Sequence, residues 1–68
     1  MDAATRLAVR AVVTGLSRTG AIEDPSVRAI MEELSEAADV RRDRGHGDDV
    51  EQLLGLASDI GTDAKLVD

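Results

Sequence analysis

The stretch DAATRLAVRAVVTGLSRT, residues 2–19, decides how the chain folds. Wound as an α-helix, it places Ala4, Leu7, Ala8, Val9, Ala11, Val12, Val13 and Leu16 over roughly two-thirds of the circumference. Only a narrow polar stripe of Arg6, Arg10, Thr14 and Ser17 is left. Three valines lower the intrinsic helicity and make a strand the rival. The stretch has no clean period-two alternation, however, and it is rich in alanine, so helix prevails. A helix that apolar needs neighbours on two sides.

Outward from this segment, the punctuation predicts two more helices. Gly20 suits the left-handed position that ends many helices. Asp24-Pro25 is a start signal, because aspartate caps free amides and proline at the first helical position loses no hydrogen bond. From Pro25 to Asp43, Val27, Ile30, Met31, Leu34, Ala37 and Ala38 share an arc of about 120°, while Arg28, Glu32, Glu36 and Asp39 face away. Arg41, Arg42 and Arg44 gather at the C-terminal end, where cations complement the helix dipole. Gly45-His46-Gly47 breaks the pattern. Asp48 and Glu51 then form a capping-box spacing, and Val50, Leu53, Leu54, Leu56, Ala57 and Ile60 give the apolar face of a third helix over 49–60. The tail 62–68 adds one helical turn or frays.

The expected architecture is therefore all-α and a single domain over 1–68: a hairpin of the first two helices with the third laid across it. Its core is thin. Seventeen residues are Leu, Ile or Val, ten are Ala, and there is no Phe, Trp or Tyr. Small domains short of apolar interior close the gap with disulfides, a metal or a second chain. The chain has no cysteine, which leaves association, and the expectation is a homodimer completed through the first helices. Its contact surface is expected at Val9, Val13 and Leu16, with Arg6 and Arg10 at the rim, pairing with Asp or Glu of a neighbouring chain.

A net charge of −6 opposes generic attraction to nucleic acid or anionic lipid. The longest apolar run, Ala11 to Val13, falls far short of a membrane span, so the chain is expected in the cytoplasm. Seven Arg against one Lys, with no Asn, suggest GC-rich coding and a bacterial or phage source.

No catalytic constellation emerges. His46 is the only imidazole. Asp43, Asp48 and Asp49 lie near it, but flanking glycines hold ligands poorly, so an exposed loop histidine is expected and no metal or cofactor. Gly45-His46-Gly47 has neither a preceding strand nor a third glycine in dinucleotide-binding spacing, and Gly55 to Gly61 lacks the lysine of a phosphate loop. Ser17, Ser26, Ser35 and Ser58 have no base beside them. The acidic run Glu32, Glu33, Glu36 and Asp39 reads first as a solvated face and second as a surface for a basic partner.

One segment carries a motif-like pattern. Leu53 to Val67 resembles the helix-turn-helix of transcriptional repressors: apolar Leu56, small Ala57, apolar Ile60, Gly61 at the turn, Thr62 as the next cap and apolar Val67. The resemblance implies a DNA-binding regulator. Its second helix would present Asp63, Lys65 and Asp68, with one cation where repressors need several phosphate contacts. The leading expectation is thus a non-enzymatic protein–protein interaction or regulatory module acting as a homodimer. The alternatives are the DNA-binding regulator and an accessory subunit of a larger enzyme or phage assembly.

Overall fold

The computed structural model describes residues 1–66, and over them the chain forms three helices and no strand: α1 (Ala3–Arg18), α2 (Asp24–Asp43) and α3 (Gly47–Asp63). The all-α, three-helix expectation is met, with α3 longer at both ends than the sequence suggests. No helix among the described residues is long and apolar enough to cross a membrane.

Local chemistry sets the boundaries. The Asp2 carboxylate accepts a 2.7 Å hydrogen bond from the Thr5 amide and opens α1. At α2 the capping position belongs to Glu23, without a side-chain bond, and Asp24 stands in the first turn, where its charge meets the helix dipole. The capping box expected at Asp48 and Glu51 does not form. α3 starts at Gly47 with His46 at the cap, and Asp48 and Asp49 lie in its first turn.

All three helices end in the same hydrogen-bond pattern, the Schellman turn. At Gly20 (φ 77°) the amides of Gly20 and Ala21 donate to Ser17 and Leu16, and at Gly45 (φ 79°) those of Gly45 and His46 donate to Arg42 and Arg41. At the third end Lys65 takes φ 60°, and its amide and that of Leu66 donate to Thr62 and Gly61. A side chain in that left-handed region costs about 1 kcal/mol.

This last turn bears on the helix-turn-helix resemblance. Gly61, its expected turn residue, is buried inside α3, and the chain does not turn until Ala64. The positions of that resemblance at Val67, and of the tail at Asp68, lie outside the described residues.

The pairing of helices also differs from expectation. α2 and α3, joined through Arg44, Gly45 and His46, form the closely packed hairpin; α1 lies mainly on α3 and touches α2 little. Contacts between α1 and α3 climb together, from Met1 with Asp49 to Thr14 with Asp63. The two helices are therefore parallel, and α2 runs opposite to both. The apolar faces of α2 and α3 complement one another, and small buried Ala38, Ala57 and Gly61 allow close approach. α1 has no comparable apolar face turned inward. Val13, Val27, Leu56 and Ile60 form the centre of the core, with Ile22, Ile30, Met31, Leu34, Ala64 and Leu66 packed around it. Val13 is the single contribution of α1 to that centre.

The molecule is open for its size. Its radius of gyration is 11.9 Å, against about 10.9 Å for a compact chain of this length. Its accessible surface is 4531 Å² at a mass of 7.2 kDa, about 400 Å² above the value for a compact monomer.

Candidate functional site

The polar stripe of α1 faces the protein, and its apolar surface faces solvent. This inversion follows from the residues opposite the stripe. Arg6, Arg10 and Thr14 recur every four residues on one side of α1, and α3 presents Gln52, Asp59 and Asp63 to them. Arg6 donates to Gln52 Oε1 at 3.0 Å and to Asp59 Oδ2 at 2.9 Å. Arg10 grips Asp63 through two bonds of 2.8 Å and lies 3.6 Å from Asp59, while the Thr14 hydroxyl donates to Asp63 at 2.7 Å. Gly55 leaves room for this clasp: a Cβ there would sit 2.6 Å from Arg6 Nη2. At the N-terminal end the Met1 ammonium and Arg41 both engage Asp49, at 3.1 and 2.9 Å.

The hydrogen bonds of Arg10, and then that of Thr14, hold the Asp63 carboxyl well below the usual carboxylate range, against the opposing effect of desolvation; Asp63 in turn raises Arg10. Asp49 is lowered by the terminal ammonium and Asp2 by the Thr5 amide. A carboxyl depressed in the folded state adds stability above its unfolded pKa and loses it as pH falls toward the folded value. Thermal unfolding followed by circular dichroism should thus be flat from neutrality to about pH 5 and decline below about pH 4. Asp63→Ala should lower stability at neutral pH by about 1–2 kcal/mol, the scale of charge-assisted bonds at a partly exposed site, and blunt the acid decline. An unchanged acid profile in that variant would show that the clasp does not hold α1.

With the stripe turned inward, Ala4, Leu7, Ala8, Val9, Ala11, Val12, Gly15 and Leu16 are all exposed. Leu7 and Val12 are 61% and 62% accessible, Leu16 and Val9 41% and 37%. None of the eight carries a charge. Together they make an apolar surface about four turns long, with a shallow groove between Ala8, Val9, Val12 and Val13. Its polar side chains are the Thr5 hydroxyl between Val12 and Leu16 and Arg18 at its edge, and it holds no carboxylate, imidazole or thiol. Its chemistry is burial against another apolar surface.

Of the residues expected at a contact surface, Val9 and Leu16 are exposed on this face. Val13 is only 7% accessible and packs with Val27, Leu56 and Ile60 in the chain's own core. Arg6 and Arg10 pair with carboxylates, as expected of them, but those of their own α3, so they form an internal clasp and no rim. Leu7 and Val12, the most accessible apolar side chains of α1, were not singled out by the sequence. A signal was present: Val12 lies opposite the stripe, and α3 carries carboxylates at a spacing that matches its arginines. His46 is exposed beside a shallow groove running from Gly45 to Asp49, where Asp49 is already engaged. Arg42 pairs with Asp39 at 2.9 Å on the outer side of α2, where Glu32, Glu33 and Glu36 are also exposed.

No family model, curated protein or solved structure matches the chain; its function has to be read from its own geometry.

Proposed function

We propose that this chain is a small, non-enzymatic interaction module that works as a homodimer, with the outer face of α1 as its contact surface. The observation that carries this reading is the inversion of α1, which spends its charged stripe inside the fold and leaves its apolar side to solvent. A helix of this length is about 24 Å long and about 10 Å across, so half its lateral surface is about 400 Å². Two copies sharing it remove about 800 Å² from water in total, below the roughly 1,200–2,000 Å² of stable specific interfaces and in the range of weak, transient ones. Association of that size is reversible and concentration-dependent.

The acidic outer side of α2 stays free in such a dimer and suits a basic surface on a second protein, whose activity the module would regulate or scaffold. The absence of cysteine and the arginine-rich, asparagine-free composition support a role in the cytoplasm of a bacterium or phage-infected cell. The DNA-binding alternative has less support, since α3 runs helical through Gly61 and the chain is acidic.

Sedimentation equilibrium from micromolar to millimolar concentration tests the reading. The expected mass rises from the monomer's 7.2 kDa toward twice that value. A mass that stays at the monomer throughout would remove the homodimer and leave the apolar face to a different protein, as in an accessory subunit.

A further inference from the structure

We propose that α1 is a releasable strap: it leaves α3 as a unit while α2 and α3 stay paired, and the face it uncovers accepts a cationic helix of a second protein in its place. The inner side of α1 carries this property, whether or not two copies associate through the outer side.

The two helix contacts are held by different forces. Between α2 and α3 the contact is a broad apolar one, with the ion pair of Arg41 and Asp49 beside it. Between α1 and α3 it is mainly ionic. Arg6 and Arg10 meet Asp59 and Asp63, and α1 adds one buried side chain, Val13. Ion pairs that remain partly open to water are individually weak, and salt screens them. Apolar contact is not screened in this way. Raised ionic strength therefore loosens α1 and leaves the α2–α3 contact in place. The connection to α2 suits such a movement: Thr19, Gly20 and Ala21 are exposed, while Ile22 packs on the core. The chain is anchored at Ile22 and pivots before it.

What α1 leaves behind is a site fitted to a helix like itself. Asp59 and Asp63 stand about one turn apart on α3, with Gln52 below them, and Gly55 leaves room for a guanidinium. Val27, Leu56 and Ile60 line the place of Val13. The matching ligand is a helix with arginines four residues apart and an aliphatic side chain three further on, the order of Arg6, Arg10 and Val13. Charge favours the same partner at longer range. Residues 3–18 hold three arginines and no acid, whereas residues 19–68 hold thirteen acidic side chains against five basic ones, so the uncovered hairpin steers cationic segments toward it. α1 competes from within the chain, at the high effective concentration of a tethered ligand, and the site stays closed until a partner displaces it.

Native-state hydrogen exchange on the wild-type chain tests the strap. The amides of Val9 to Val13 are expected to open at least about 10-fold more often than those of Leu56 and Ile60, and that ratio to grow about 10-fold between about 0.05 and 1 M NaCl. Exchange of α1 together with Leu56 and Ile60 at every salt concentration would show a single cooperative unit and overturn the strap. For the site, the probe is a fluorescent peptide of residues 2–19. A chain with Arg6→Glu and Arg10→Glu repels its own α1 from Asp59 and Asp63. The peptide is expected to bind this chain at least about 10-fold tighter than the wild type, and to lose binding in 1 M NaCl or when it carries the same two glutamates. Equal affinity for both chains, or none for either, would overturn the site. Loss of all helical circular dichroism in the variant would show that α2 and α3 do not stand without α1, and would overturn the strap. Isotope-filtered contacts from Val13 of one wild-type chain to Ile60 of another would assign the face to a second copy's α1 and overturn a separate partner.

Discussion

Val13→Asp is expected to unfold the chain, whereas Val12→Asp, one residue away, should leave it folded and monomeric. Val13 is 7% accessible and sits against Val27, Leu56 and Ile60. An aspartate there loses the burial of the valine and brings a carboxylate among aliphatic side chains with no partner. That combination costs about 4 kcal/mol or more, comparable with the total stability of roughly 3–10 kcal/mol for a domain of this length. Circular dichroism at room temperature should show the loss of helix directly. Val12 is 62% accessible, and the same change there alters monomer stability by no more than about 0.5 kcal/mol. In a symmetric pair, however, it places two unpaired carboxylates in one apolar seam, and association should weaken at least about 100-fold, or about 2.7 kcal/mol. If both variants unfolded, or both stayed dimeric, the assignment of the two faces of α1 would be wrong.

Leu56→Ala is expected to be the most damaging uncharged substitution. Leu56 and Ile60 are each 1% accessible and lie where all three helices meet. Truncation at a buried leucine costs about 2–5 kcal/mol, the larger values arising where neighbours fail to close the cavity. The ring of Ile30, Met31 and Leu34 is flexible enough to collapse partly, so a loss near 3 kcal/mol is expected. Ile60→Val, which removes a single methylene, should cost about 0.5–1.5 kcal/mol. Urea titration followed at helical wavelengths gives both numbers. A loss under 1 kcal/mol for Leu56→Ala would mean that the three helices share no common centre.

Much of the fold is legible in the sequence because its punctuation is local. Gly20 and the Gly45-His46-Gly47 break mark helix ends through backbone conformation, and the 3.6-residue period of α2 and α3 specifies their buried faces. The finer start signals are less secure. Asp24 and Asp48 are good capping residues, yet each helix takes in its aspartate and uses the preceding backbone instead. The end of α3 is hidden because the residue at its left-handed position is Lys65, where glycine would have announced it.

What the sequence conceals is the orientation of α1. Apolar periodicity alone assigns the wide apolar surface to the interior and the arginines to water. The outcome depends on which helix lies opposite. Gln52, Asp59 and Asp63 stand at heights that match Arg6, Arg10 and Thr14, and four hydrogen bonds from the two arginines, joined by one from Thr14, settle the rotation of α1. Only Val13 is left to serve the core. That pairing is a property of two elements together, and no single-helix pattern contains it. For the same reason Val9 and Leu16 are legible as surface candidates while Val13, which differs from Val12 only by a turn of 100°, is not.

The most direct test of the inverted helix is a nuclear Overhauser experiment on a mixture of labelled and unlabelled chains, in which methyl contacts within and between copies are separated. With α1 inverted, Val13 methyls contact those of Leu56 and Ile60 within one chain, while Leu7 and Val12 reach beyond their own helix only between chains, in contacts that grow with concentration. Intrachain contacts from Leu7 or Val12 to α2 or α3 would contradict the inversion.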